Sequence, residues 1–366
     1  MPIRLKKKAS EGDTVELLDD LPKTEFKKGQ RGTVVTAFLE PREAYDLEMV
    51  DESGKILGFA YSVRPEQFNN LSLDAFIRTM EYVERGDLVA AEKELKFAVD
   101  LRPATIGFFV NSIIASLGEE NFKKGENIIS LAIPLLRLAL RVCPDYEVAR
   151  TNLAIAFLKF GVRKGNEGHL EDAFELFHSA LSIKTDERTE SIIKNNLALV
   201  LTSFGEELFK QEKFGEGLNS FRSALLAVQN ETTRRNLGLA YGIYAASLME
   251  SKRFDLAMQQ FERAEDVGVL IPDFITSYGV CLAMLGQMAL AKQAFERALE
   301  LEPSNQEALH NMAFLGTSIA SPRDLSKWLF TTGQSAFGQA YFWHGDFQTP
   351  VWQHDAVANQ EIFAFT

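Results

Sequence analysis

Two stretches decide the reading of this chain: GDLVAAEKELKFAVDLRP at residues 86–103 and GQMALAKQAFERALELEP at residues 286–303. Each begins with a glycine. From that glycine, Ala91, Leu95, Ala98 and Pro103, and likewise Ala291, Phe295, Ala298 and Pro303, fall at offsets of 5, 9, 12 and 17. Every offset has a mechanical meaning. The glycine turns the chain between two helices, the small residues let those helices close to contact, and the large apolar residue fills the gap beyond. The proline forbids continuation of the second helix.

Weaker copies obey the same rule: Ala132, Leu136, Ala139 and Pro144; Gly168, Ala173, Phe177 and Ala180; Phe214, Gly217, Phe221 and Ala224; Phe254, Ala257, Phe261 and Ala264. The large residue thus recurs at positions 95, 136, 177, 221, 261 and 295, in steps of 41, 41, 44, 40 and 34. The first helix of each pair carries its own mark: Asn152-Leu153-Ala154, Asn196-Leu197-Ala198, Asn236-Leu237-Gly238 and Asn311-Met312-Ala313, with Asn111 and Ser277 at the matching places. Asn196 precedes Phe221 by 25 residues, whereas Ser277 precedes Phe295 by 18, and the difference of 7 is close to two helical turns. The extra residues are therefore assigned to Leu158–Gly168, Thr202–Glu212 and Ile243–Ser251, where they lengthen the first helix or its turn.

These offsets resemble the tetratricopeptide signature over about two thirds of the chain, although only the last step has the standard length. The resemblance implies a mainly α fold, an α-α superhelix of about six helix pairs with an extended first helix, over residues 70–320. It further implies that the first helices line a concave surface, where Asn111, Asn152, Asn196, Asn236 and Asn311 form a ladder that holds an extended peptide by its backbone. An asparagine amide offers one acceptor and two donors, the complement of a peptide bond. The competing reading is that these asparagines bond neighbouring helices and stitch the stack together.

Arg150, Lys194 and Arg234 each stand two residues before an asparagine, and Arg235 stands one before. A recurring cation in an acidic chain points to a strip that favours an acidic partner or a free C-terminal carboxylate. The alternative is that these side chains snorkel at the surface. One turn further on, Ile155, Leu199, Leu239 and Val280 give the groove an apolar floor.

Residues 11–69 have another character. Val15-Glu16-Leu17-Leu18, the run from Gly32 to Phe38, Tyr45 to Val50 and Ile56 to Tyr61 are short and rich in β-branched and aromatic residues, with turn signals between them. Four or five such strands predict a small β-barrel. The stretch from Lys27 to Val34 resembles the glycine turn of SH3-like barrels, and the whole segment is similar to a small uncharacterised bacterial domain family. Between residues 11 and 70 there are 13 acidic and 7 basic side chains, a balance that disfavours phosphate binding. Before it, residues 1–10 form a basic tail with Arg4, Lys6, Lys7 and Lys8.

Residues 321–366 are aromatic, with Trp328, Phe330, Phe337, Tyr341, Phe342, Trp343, Phe347, Trp352, Phe363 and Phe365. So many aromatic rings do not stay solvated in an ordinary tail. Asp324 to Leu329 is expected to open a capping helix, and the segment either caps the last repeat, docks on a partner or fills its own groove.

A net charge of −12 argues against gripping nucleic acid or an anionic membrane, and no apolar run is long enough to cross a bilayer. The N-terminus lacks the apolar core of a secretory signal, so a soluble cytoplasmic protein is expected. Cys143 and Cys281 read as small buried hydrophobes. Of His169, His178, His310, His344 and His354, only His344-Gly345-Asp346 and His354-Asp355 could in principle bind a metal ion, and such pairs arise readily by chance; no phosphate-cradling glycine loop or serine elbow occurs. The pairs Asp19-Asp20 and Glu119-Glu120 read as turn and surface charge. No cofactor, metal or catalytic centre is expected. The reading is a non-catalytic scaffold that binds a protein or peptide; the alternative is a dedicated regulator, such as an antitoxin, immunity factor or assembly chaperone, that sequesters one specific protein.

Overall fold

The computed structural model describes residues 8–40, 42–117, 127–316, 324–339, 342, 344–351 and 353. Arg4, Lys6, Lys7, Glu119, Glu120, Pro322, Tyr341, Trp343, Trp352, His354, Asp355, Phe363 and Phe365 lie outside the described residues. Contacts divide the chain into two compact units. The first comprises Met1–Phe160, Ser182–Thr189 and Pro350–Thr366; the second comprises Gly161–Leu181 and Glu190–Thr349.

The first unit opens with five antiparallel strands: β1 (Thr14–Leu17), β2 (Arg31–Phe38), β3 (Ala44–Val50), β4 (Ile56–Val63) and β5 (Phe68–Asn70). Alternation along β3 buries Tyr45, Leu47 and Met49 while their neighbours stay half-buried, the period-2 pattern of a sheet with one covered face. With Val15, Leu17, Val34, Val63 and Phe68 these residues form a separate apolar core, in which Tyr45 meets Phe68 edge to face at 5.3 Å. The strand order is β4-β3-β2-β1-β5. Among the described residues no ladder joins β4 to β5, so the expected barrel is an open sheet. The reason is local. β5 is only three residues long, and its last residue, Asn70, caps the following helix by accepting from the Leu73 N–H, which turns the chain away before the sheet can close.

The helices are α1 (Leu71–Glu84), α2 (Leu88–Leu101), α3 (Thr105–Ser116), α4 (Asn127–Val142), α5 (Glu147–Asn166), α6 (Leu170–Leu181), α7 (Glu187–Lys210), α8 (Phe214–Ala227), α9 (Glu231–Glu250), α10 (Phe254–Asp266), α11 (Pro272–Met284), α12 (Met288–Leu301), α13 (Gln306–Gly316) and α14 (Gly333–Gln339). The extra residues of the middle repeats are helix rather than turn: α5, α7 and α9 run for 20, 24 and 20 residues against 13 in α11. In α9 the added turns carry Ile243, Ala245, Ala246, Leu248 and Met249, all buried, so the lengthening enlarges the core.

Where the turn within a pair lies among the described residues, the pairs close alike. At Gly86 and Gly286 the backbone enters the left-handed region, and the next N–H reaches back to Tyr82 and Leu282. In two repeats Glu212 and Lys252 occupy this position with positive φ, a conformation that costs a non-glycine residue about 1–2 kcal/mol. A second rule sits inside the pair. A Cβ on Gly205 would lie 2.7 Å from the Phe221 ring, and one on Gly161 or Gly279 would lie 2.6 Å from Phe177 or Phe295. The missing side chain on the first helix, sixteen residues before the recurring phenylalanine, is what admits that ring. Cys281 is buried in α11, and burial pushes its thiol well above the usual value.

The sheet is tied to the first helix pair by a buried ion pair. Arg102, just past α2, donates to Asp13 Oδ1 at 2.6 Å and to the Glu11 carbonyl at 2.9 Å. Asp13 Oδ2 also accepts from Asn70 Nδ2 and from the Ser10 N–H, and the Arg102 guanidinium lies 5.0 Å from the centre of the Phe108 ring. Thr14 completes the joint by donating its hydroxyl to the Leu101 carbonyl, while its N–H donates to Ser72 Oγ.

Candidate peptide-binding ladder

Asn111, Asn152, Asn196, Asn236, Ser277 and Asn311 are all buried, each on the first helix of its pair. A buried amide needs partners, because an unmet donor or acceptor out of water costs about 1–3 kcal/mol. In the second unit, Asn196 Nδ2 donates to the Gln348 carbonyl at 2.7 Å while its Oδ1 accepts from the Gln348 N–H at 2.9 Å. Asn311 makes the same two bonds to Leu329, at 2.7 and 2.9 Å. In the first unit, Asn152 makes them to Gln353, at 2.6 and 2.9 Å. Three asparagines thus clamp one residue each by its own N–H and carbonyl, and all three residues belong to the aromatic C-terminal segment.

Two further groups hold the same segment. Ser277 Oγ accepts from the Thr331 N–H at 3.1 Å, and Glu250 Oε2 accepts from the Gly333 N–H at 3.1 Å. Sequence reasoning placed Ser277 in register but gave it no role, and it passed over Glu250 entirely. The capping helix expected at Asp324 to Leu329 is one 3₁₀ turn, Leu325–Lys327, capped by the Asp324 carboxylate. Sequence spacing could not show that the chain leaves this turn to meet Asn311.

Aromatic side chains seat the segment on the repeats. Trp328 stacks on Phe295 at 5.9 Å and meets Phe314 edge-on at 4.8 Å. Phe342 stacks on Phe221 at 4.8 Å, and Phe347 packs against Phe177 at 6.1 Å. A Cβ on Gly165 would come within 2.5 Å of the Phe347 ring, so this glycine opens the seat for it. Gly345 passes close to Leu199, one of the four residues assigned to the apolar floor; Ile155, Leu239 and Val280 are buried. His344 Nε2 lies 2.8 Å from Glu206 Oε2. Burial pushes the Glu206 carboxyl up, but hydrogen bonds from Lys210 and His344 outweigh it and hold the group below the usual carboxylate value.

The cations expected beside the ladder are engaged locally. Arg150 donates to the Pro144 carbonyl and approaches Asp145, Lys194 pairs with Glu190 at 2.5 Å, and Arg234 donates to the Asn230 carbonyl. Arg234 and Arg235 are exposed. Among the described residues no group of three or more histidine, cysteine or acidic side chains is placed to hold a metal ion. No described helix is long and apolar enough to cross a membrane.

Asn196→Ala is expected to remove both bonds to Gln348 and to destabilise the protein by about 1–3 kcal/mol. Hydrogen exchange read residue by residue should then show the Gln348 amide exchanging at least about tenfold faster, with the Leu329 amide unchanged.

Residues 11–69 match the family described as "Domain of unknown function (DUF4926)", and residues 274–305 match "Tetratricopeptide repeat". Human RNA polymerase II-associated protein 3 is 27% identical over 146 residues, 39% of this chain and 21% of that protein. Human protein O-mannosyl-transferase TMTC3 is 22% identical over 214 residues, 58% of this chain and 21% of that protein. The chain therefore spans about a fifth of the length of these two relatives. Among solved structures, the TPR2AB domain of yeast Sti1 in complex with pHSP90 is 12% identical, with a TM-score of 0.27 over 67% of this chain and 96% of that one.

Proposed function

We propose that this tetratricopeptide-repeat protein is a non-catalytic scaffold whose asparagine ladder captures an extended segment of a protein partner by its backbone. Tetratricopeptide arrays are in general protein-interaction scaffolds. The observation that carries the finer reading is the double hydrogen bond that Asn152, Asn196 and Asn311 each make to a single residue of an irregular segment. Such a clamp accepts any residue except proline, because it touches only main-chain atoms. Asn111 and Asn236 complete the ladder in this reading, with the exposed Arg234 and Arg235 beside Asn236, and Arg150 and Lys194 near their own asparagines, favouring an acidic partner or a free C-terminal carboxylate. Affinity then comes from main-chain bonds and selectivity from the pockets between them.

Alanine at Asn152, Asn196 and Asn236 together is expected to reduce partner recovery in an affinity pull-down by at least about tenfold, which corresponds to 1.4 kcal/mol. Far-ultraviolet circular dichroism should keep its helical signal. Undiminished recovery with the triple variant would dismiss the ladder.

A further inference from the structure

We infer that the C-terminal segment is a built-in competitor for the ladder, and that the partner which displaces it carries an aromatic side chain immediately before each clamped residue, in five-residue steps. The inference rests on the ladder reading above and adds what covers the ladder and what the partner looks like.

The pattern is written in the segment itself. Asn311 clamps Leu329, and Trp328 precedes it; Asn196 clamps Gln348, and Phe347 precedes it. In sequence, Trp352 likewise precedes Gln353, the residue clamped by Asn152. The clamped residues Gln348 and Gln353 are five apart, and so are Phe342 and Phe347, whereas Asn152 and Asn196 are 44 apart. Phe342 and Phe347 seat on Phe221 and Phe177, one repeat apart, so across this repeat of the second unit the segment advances by five residues. Each seated ring also meets the same kind of partner. Phe347, Phe342 and Trp328 lie on Phe177, Phe221 and Phe295, the recurring large residues of three second helices. The rule thus has two parts, an amide that takes the backbone and a phenylalanine that takes the preceding ring.

The segment is also held in a way that permits exchange. The backbone clamps are polar and would be remade by an extended chain, and the side-chain contact between His344 and Glu206 is partly exposed, a kind worth little in water. A tethered segment competes at an effective concentration of about millimolar, so a free copy of it gains access only when the tether's own grip is weakened.

The test uses the full chain and a fluorescein-labelled peptide of residues 340–353, AYFWHGDFQTPVWQ, followed by fluorescence anisotropy. Gln348→Pro removes the N–H that Asn196 accepts, and Phe347→Ala removes the ring that Gly165 admits; each is made separately, so that either one can carry the measurement if the other fails to fold. Each variant is expected to bind the peptide at least about tenfold more tightly than the unaltered chain. Adding Asn196→Ala to either should reverse the gain. A peptide with Phe342, Phe347 and Trp352 each moved one position toward the C-terminus should bind at least about tenfold more weakly than the native peptide.

Equal affinity of the variants and the unaltered chain would overturn the competitor, as would no binding to either variant up to about 1 mM peptide. Equal binding of the shifted peptide would overturn the spacing. If the peptide experiment fails while the triple asparagine variant still loses its partner in the pull-down, the ladder stands and this inference falls. If both fail, the ladder falls as well.

Discussion

Replacing Asp13 by alanine is expected to lower the unfolding free energy by about 3–5 kcal/mol. Both partners of the Asp13–Arg102 pair are almost fully buried, with side-chain exposures of 5% and 7%. Removing the carboxylate deprives the buried guanidinium of its 2.6 Å charge partner. It also strands the Asn70 amide and the Ser10 N–H, which both donate to Asp13. The loss should appear as a lower midpoint in urea with the sheet and the first helix pair unfolding together. The double replacement Asp13→Leu with Arg102→Met should recover part of it, because it removes the buried charge together with its partner while the Asn70 amide and the Ser10 N–H still lose their acceptor.

Phe221→Ala is expected to cost about 3–5 kcal/mol, the range for emptying a fully buried phenylalanine site. Its ring stacks on Phe342, meets Phe209 edge-on at 5.6 Å and fills the notch above Gly205. The cavity therefore removes a seat of the C-terminal segment as well as a piece of core. Limited proteolysis should cleave between Phe342 and Pro350 at least about tenfold faster. Phe261→Ala makes the control. Phe261 is as well buried, but its ring neighbours are Phe274 and Tyr278, so a comparable loss of stability should leave cleavage in that stretch unchanged.

The helix pairs were legible because their constraint is local and repeats: a residue that must be small at a crossing is small in every copy, as Ala91, Ala173, Ala257 and Ala291 show. The extra turns of α5, α7 and α9 followed from subtraction alone, since a length difference of about two turns fits a helix without disturbing register. The asparagines were legible as a row, and the C-terminal segment was one of the occupants foreseen for the groove. Which residues would meet was not, because that depends on how far the chain travels after Leu329, and no periodicity constrains it. Glu250 stayed hidden for the same reason. The local acids Glu190 and Asp145, which lie within reach of Lys194 and Arg150, were not weighed from the spacing of the cations alone. The sheet stayed open because Asn70 serves both the last strand and the first helix, a dual use that strand spacing does not reveal. The glycines at positions 161, 205 and 279 were legible in principle, as each stands sixteen residues ahead of a recurring phenylalanine.

The order in which the C-terminal segment is held has a kinetic meaning. Leu329 meets Asn311, Thr331 meets Ser277, Gly333 meets Glu250, Gln348 meets Asn196, and Gln353 meets Asn152. Detachment that starts at the Gln353 side gives up the two bonds to Asn152 while the contacts nearer Leu329 still hold, and so can proceed like a zipper. If the proposed ladder takes a partner, an incoming chain that first occupies the vacated Asn152 would gain a toehold while the remaining contacts of the segment still hold.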